Sequence, residues 1–103
     1  MLDTNIKDIT SIARVLKSKT CLYLLNYLAQ MDFSNQDLFE KLKKKNNISY
    51  RSSIFEALKR IQEAGLIEKY YDNKVKKIKY KLNYTIITID LNSMKISFKK
   101  KKD

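Results

Sequence analysis

The chain has 103 residues, 44% hydrophobic and 11% aromatic, which is enough for one core and too apolar for wholesale disorder. Its net charge of +11 is unevenly spread: residues 1–68 carry 11 basic and 8 acidic side chains, and residues 69–102 carry 11 lysines against Asp72 and Asp90. With no histidine and a single cysteine, Cys21, one chain cannot assemble a Ser/His/Asp or Cys/His nucleophile, a Cys/His zinc site or an intramolecular disulfide.

These features predict a protein that is not an enzyme and holds neither cofactor nor metal. No apolar run approaches the ~20 residues that span a bilayer. The opening MLDTNIKD has no basic stretch followed by an apolar one, so the cytoplasm is the expected location. The basic half points to a polyanion, whether DNA, RNA or an anionic membrane, or else to a lysine-rich solubility surface.

With no proline and one glycine, Gly65, no linker or repeat is visible; residues 1–98 read as one domain and 99–103 as a basic tail. Ile6, Ile9, Ala13 and Leu16 recur at helical spacing behind Asp3 or Thr4 as N-cap, which predicts a first helix over 4–17. Ser18 is placed to cap a second helix whose apolar face carries Cys21, Leu22, Leu24, Leu25 and Leu28. Residues 31–37 break the period, and Ser34 followed by Asp37 resembles a capping box with Asp in place of Glu. A third helix over 35–45 buries Leu38, Phe39 and Leu42 and leaves Lys41, Lys43, Lys44 and Lys45 outside. Asn46–Asn47 signals a turn, and Ser49 reads as the cap of a fourth helix. There Ile54, Leu58 and Ile61 share a stripe with Ala57 beside it, and Gly65 suits the left-handed position that ends a helix.

The period then changes from 3.6 to 2. Residues 66–71 read as a strand, Asp72–Asn73–Lys74 as a turn and 75–82 as a second strand, with Ile78, Tyr80 and Leu82 inward and Lys77, Lys79 and Lys81 outward. A second hairpin is expected over 86–98. If Asn92–Ser93 is its two-residue turn, Leu91 faces Met94, Ile89 faces Ile96 and Ile87 faces Phe98 on one face, with Asp90–Lys95 and Thr88–Ser97 on the other. A single extended strand with a frayed end is the alternative.

Residues 54–83, IFEALKRIQEAGLIEKYYDNKVKKIKYKLN, resemble the recognition helix, its exit and the wing of the ArsR/MarR-type transcriptional regulators. VLKSKTCLYLLNYLAQ, residues 15–30, resembles the second helix that opens their winged domain. The likeness covers residues 10–83 and implies an α+β, winged helix-turn-helix fold, with the helix-turn-helix over 35–64 and the wing over 66–82. It also implies a sequence-specific regulator that binds double-stranded DNA. The C-terminal hairpin departs from those families, which usually dimerise through a C-terminal helix. Their metal-sensing members need clustered Cys or His, which this chain lacks.

A helix fits the major groove and its first turns reach base edges. That assigns Tyr50, Arg51, Ser52 and Phe55 to DNA contact, with Lys59 on the same outward arc as Glu56, Arg60 and Glu63. Packing of Phe55 against the third helix is an equal alternative, and Glu56 either accepts from cytosine or pairs with Arg60. Lys74, Lys76, Lys77 and Lys79 are assigned to phosphates, against the alternative of a solvated face guarding an edge strand. Asp72 and Lys74 have the Asp-x-Lys spacing of some nuclease sites, a pattern common by chance in surface turns. Cys21 reads as a small core residue, with an intersubunit disulfide as the alternative. A homodimer is expected through Ile6, Ile9, Ile87, Ile89, Met94 and Ile96, whose apolar surface exceeds what one small domain needs. The competing function is a protein- or RNA-interaction module in a replication or transcription assembly. A membrane partner is not expected, because no basic amphipathic helix presents large exposed apolar residues.

Overall fold

The computed structural model describes residues 2–100, with side chains from Ile6 onward. The chain is an α+β protein. Helices α1 (Leu2–Leu16) and α2 (Lys19–Leu28) are followed by a short strand β1 (Phe33–Ser34) and helices α3 (Asn35–Asn46) and α4 (Arg51–Glu63). Four strands complete it: β2 (Ile67–Asp72), β3 (Lys77–Leu82), β4 (Ile86–Asp90) and β5 (Lys95–Lys99). No helix among the described residues is long and apolar enough to cross a membrane.

Local chemistry sets most of these boundaries. The Cys21 N–H donates to Ser18 Oγ at 3.2 Å and the Asp37 N–H donates to Ser34 Oγ at 3.1 Å, each satisfying a donor that a helix start leaves orphaned. Asn47 closes α3 in the left-handed region at φ 58°, and the Ile48 N–H donates back to Leu42 O at 3.2 Å. Gly65, at φ 80°, ends α4 in the same way.

Two expected caps are not used. Ser49 does not cap α4; Tyr50 holds that position, with its carbonyl accepting from the Ser53 N–H at 3.2 Å and no side-chain cap bond. The reason lies upstream: after the turn at Asn47 the chain must return Ile48 to the core, which leaves Ser49 and Tyr50 as the bridge into the helix. Helix α1 begins at Leu2, so Asp3 and Thr4 lie within it rather than ahead of it.

The core is built around α4, whose Ile54, Ala57, Leu58 and Ile61 are buried against α2 (Cys21, Leu24, Leu28) and α3 (Leu38, Phe39, Leu42). Leu22, expected on the apolar face of α2, is exposed. On α1 the buried residues are Ile12 and Val15, while Ile6, Ala13 and Leu16 are exposed. Apolar side chains cover two adjoining rows of that helix, and periodicity alone does not say which row meets α2 and α4.

The strands form an antiparallel sheet in the order β1–β3–β2 and a separate hairpin, β4–β5. Strand β1 was invisible in the sequence, since two residues show no period; Phe33 pairs with Tyr80 and Ser34 with Lys79. The predicted pairs Ile87–Phe98, Thr88–Ser97, Ile89–Ile96 and Asp90–Lys95 are all present.

Both hairpin turns are longer than expected. The last ladder pairs are Asp72–Lys77 and Asp90–Lys95, so residues 73–76 and 91–94 are loop, and Leu91 and Met94 are not a strand pair. The two turns share one chemistry. Asp72 Oδ1 accepts from the Lys74 N–H and Asp90 Oδ1 from the Asn92 N–H, each at 2.9 Å. Each loop then ends on a residue in the left-handed region, Lys76 at φ 56° or Met94 at φ 55°.

Only glycine adopts that conformation without a steric penalty. A Cβ at Gly65 would meet no atom within 4 Å, so Gly65→Ala tests backbone strain alone. It is expected to destabilise by about 1 kcal/mol. Met94→Gly, which relieves the same strain, is expected to raise the melting temperature. Thermal melts of both variants check the pair of opposite signs.

Candidate nucleic-acid interface

Because the buried stripe of α4 faces α2 and α3, its opposite arc is turned outward. That arc and the β2–β3 sheet form the two walls of a groove of about 470 Å³, lined by Ser52, Phe55, Glu56, Lys59, Gln62, Lys69 and Tyr80. Ser52, Phe55 and Lys59 therefore come together as the sequence predicted. Phe55 is 61% exposed, which excludes the alternative of packing on α3, and Tyr50 at the helix start is 72% exposed. The Arg51 guanidinium carbon lies 4.6 Å from the centroid of the Phe39 ring on α3, a cation–π contact that anchors this exposed side chain. Glu56 makes no ion pair with Arg60; it lines the groove instead.

The β2–β3 register sorts the hairpin into two faces. Ile67–Leu82, Lys69–Tyr80 and Tyr71–Ile78 share the face toward α4; Glu68–Lys81, Tyr70–Lys79 and Asp72–Lys77 share the other. On the first face Ile67 and Tyr80 are buried, but Ile78, expected inward, is 55% exposed. From Tyr80 toward its turn the hairpin runs beyond the core, so alternation persists while burial stops.

The lysines on the opposite face are occupied. Lys79 Nζ lies 3.1 Å from Asp72 and Lys81 Nζ 3.3 Å from Glu68, and Lys77 reaches Asp37 on α3 at 3.9 Å. Lys79, assigned from sequence to phosphates, is thus half-buried and neutralised by a carboxylate on its own hairpin, and Lys77 is partly neutralised. Among the described residues Lys59, Lys69, Lys74 and Lys76 form no ion pair. Lys69 was missed; pairing Asp72 with Lys77 and counting back places it opposite Tyr80, a signal available only once the turn length is known.

The hairpin is tied down by Tyr70, whose hydroxyl donates to Asp32 Oδ2 at 2.5 Å across to the segment between α2 and β1. That hydrogen bond, then burial and the charges of Asp32 and Asp72, push the Tyr70 phenol from 10.0 up to about 12. The Asp72 carboxyl is held below its ordinary range by the Lys79 ammonium first and the Lys74 N–H next. Burial raises the Tyr80 phenol.

The predicted dimer residues differ in exposure. Ile6 is exposed and Ile9 half-buried on α1, Ile87 and Ile96 pack against the core, and Ile89 and Met94 are half-buried. Helix α1 lies against β5, so part of the hairpin's apolar surface is covered within the chain. Cys21 is buried with its thiol 3.9 Å from Ala57 O, which places it in the core and rules out an intersubunit disulfide in this fold. Among the described residues no three His, Cys, Asp or Glu side chains are grouped as metal ligands. Of the predicted tail, Lys99 belongs to β5, and residues 101–103 lie outside the described residues. No family model, curated protein or solved structure matches this chain.

The Tyr70 phenol gives a test of the hairpin anchor. Its folded-state pKa lies above the unfolded value, so its contribution is complete below pH 10.0 and lost as pH rises toward about 12. Asp72 has the opposite sign, contributing above its ordinary range and losing that contribution on acidification. The wild-type urea midpoint minus that of Tyr70→Phe is expected to be positive and constant at neutral pH and to shrink on the alkaline arm.

Proposed function

We propose that the chain is a winged helix-turn-helix regulator that binds double-stranded DNA in a sequence-specific way, with α3 and α4 as the helix-turn-helix and β2–β3 as the wing. The observation that carries this reading is the groove joining the exposed arc of α4 to a hairpin whose Lys69, Lys74 and Lys76 have no carboxylate partner among the described residues. Arg51 and Ser52 open α4, and their amides belong to a helix start that no side chain caps. That end of the helix carries partial positive charge and favours phosphate. Arg51, stacked on Phe39, presents a planar fork of donors suited to guanine or a phosphate. A cytoplasmic location and a homodimer fit this reading. The exposed apolar Ile6 and Leu16 on α1 and Leu22 on α2 supply surface for the dimer.

The exposed Phe55 and Tyr50 favour one second reading, a protein partner seated in the same groove. Competition at fixed salt among mixed-sequence duplex, single-stranded DNA, structured RNA and protein extract separates the two. Duplex preference is expected.

Arg51→Ala is expected to weaken cognate binding by about 1–3 kcal/mol and to relax preference at one base pair, read by selection from a random duplex pool. Equal affinity and equal preference would remove Arg51 from the interface. Sedimentation equilibrium is expected to show a dimer that Ile6→Lys and Leu22→Lys together convert to monomer; a monomeric wild type would refute the dimer.

A further inference from the structure

We propose that β4 is a self-association edge, separate from the helical surface assigned above to the dimer. Two copies meet there antiparallel about a twofold axis at Thr88, so that the β4–β5 hairpins of both continue as one four-stranded sheet. The contact itself stands apart from the duplex-DNA reading. Its role rests on that reading: it links neighbouring copies gathered on one duplex.

The strands differ in how their edges are guarded. Among the described residues β4 and β5 form a sheet only with each other, so each leaves one row of backbone N–H and C=O groups outside a ladder. Lysine on such an edge keeps a further chain from adding to it. Strands β2, β3 and β5 all carry lysine, and α1 also lies against β5. Strand β4 carries none, in a chain with 22 Lys and Arg. Apart from Asp90 every residue of β4 is β-branched, the side-chain type that suits a pleated surface. Ile86 is exposed and Ile89 half-buried, so its apolar surface is only partly covered within the chain.

The pattern of β4 fits a second copy of itself. A twofold axis at Thr88 sets Ile87 opposite the partner's Ile89, Thr88 opposite the partner's Thr88 and Ile86 opposite the partner's Asp90. Both core-side faces then stay on one side of the joined sheet, which a slip by one residue would forbid. The cross-strand pairs are apolar or Thr–Thr, both favourable, and no lysine faces a lysine. Ile86 pairs with Lys99 in its own hairpin, so on the outer face it comes to lie between that lysine and the partner's Asp90, which are opposite in charge. The same operation on β5, about Ser97, would set Lys95 against the partner's Lys99, like charge on like.

Magnitudes decide where the contact acts. A seam of 5 residues a side falls well short of the roughly 1,200 Å² that a stable interface buries. The charge of +11 on each copy opposes it further. Free copies therefore associate through β4 only weakly. Copies side by side on a duplex are present to one another at about millimolar effective concentration, and the phosphates offset their repulsion. The seam then makes filling of a duplex cooperative.

The test begins without DNA, in the Ile6→Lys/Leu22→Lys chain, where the helical surface does not contribute. Its backbone amide NMR spectrum is followed from micromolar to millimolar protein. The β4 amides are expected to shift with a midpoint on the order of hundreds of micromolar, and the β5 and β2 amides to stay in place. Added salt screens the repulsion and is expected to lower that midpoint, the opposite of its effect on DNA binding. Thr88→Lys and Thr88→Glu, each added to this chain, are expected to abolish the shift, and an equimolar mixture of the two to restore it. Thr88 is exposed, and the same spectra show whether each variant keeps its hairpin. Should a variant lose it, the parent chain still decides: β4 amides that do not move at millimolar protein and raised salt, or β5 or β2 amides that move in their place, overturn the proposal. So does a folded Thr88→Lys chain that shifts as its parent does. The role on DNA is read by titrating a long and a short mixed-sequence duplex with the otherwise wild-type chain. Each Thr88 variant is expected to bind the long duplex with a shallower isotherm than wild type, the mixture to restore its steepness, and the short duplex to show no such difference. Equal steepness throughout overturns the cooperative role. A wild type that binds no duplex at low salt overturns the DNA reading, and the amide shifts then judge the seam alone.

Discussion

Burial of one side of α4 is the constraint on which the other features depend. Ile54, Leu58 and Ile61 are wholly enclosed, and each contributes roughly 1.5–3 kcal/mol by leaving water. Together they are comparable to the whole net stability of an average small domain, about 5–15 kcal/mol. Turning α4 by even one residue's rotation would expose part of that stripe, so the helix has one orientation. The outward arc of Ser52, Phe55, Glu56, Lys59 and Gln62 follows from it as a geometric consequence. The groove then needs only a second wall, which the chain supplies as soon as Gly65 reverses it and sends β2 and β3 back along the helix.

The second wall is held by different forces at its two ends. Near the core it is apolar: Ile67 and Tyr80 are buried, and Phe33 of the short strand β1 pairs beside Tyr80. Farther out, polar ties take over. Tyr70 bonds to Asp32, Lys79 to Asp72, and Lys77 reaches toward Asp37. Ties of this kind between partly exposed groups add little stability each. The Tyr70 bond fixes the hairpin to the segment before β1 and Lys77 to α3, while the Lys79–Asp72 pair within the hairpin takes up positive charge on that face. A hairpin that reads in sequence as a uniform run of lysines becomes a two-sided element, neutral behind and cationic in front and at its tip.

Helical periodicity, the caps at Ser18 and Ser34 and the glycine exit were readable because they are local. A side chain that caps a helix acts within three residues, and a left-handed helix end needs a residue that tolerates it. Ser18, Ser34, Asn47 and Gly65 accordingly occupy the places expected of them. The alternating pattern of β4 and β5 likewise gave their register, since a slip by one residue would reverse every side chain. Failures came where a local pattern admits more than one solution. Two residues of β1 show no period, four-residue loops resemble loops of two or three residues, and α1 carries two adjacent apolar rows.

An α+β chain with four helices followed by hairpins, a buried stripe on α4 and a basic second half were all legible in the residues alone. Those properties depend on contacts a few residues apart and on composition. Packing settles which apolar row of α1 is covered, that Phe55 is exposed, that Ile78 lies past the core, and that Lys79 is paired with Asp72 while Lys69 lines the groove. Each of these depends on the distance between groups remote in sequence. The ion pair between Lys79 and Asp72 and the groove between α4 and β2 exist only once the turn length and the packing angle are set. Charge and hydrophobicity are properties of residues; availability is a property of their neighbours.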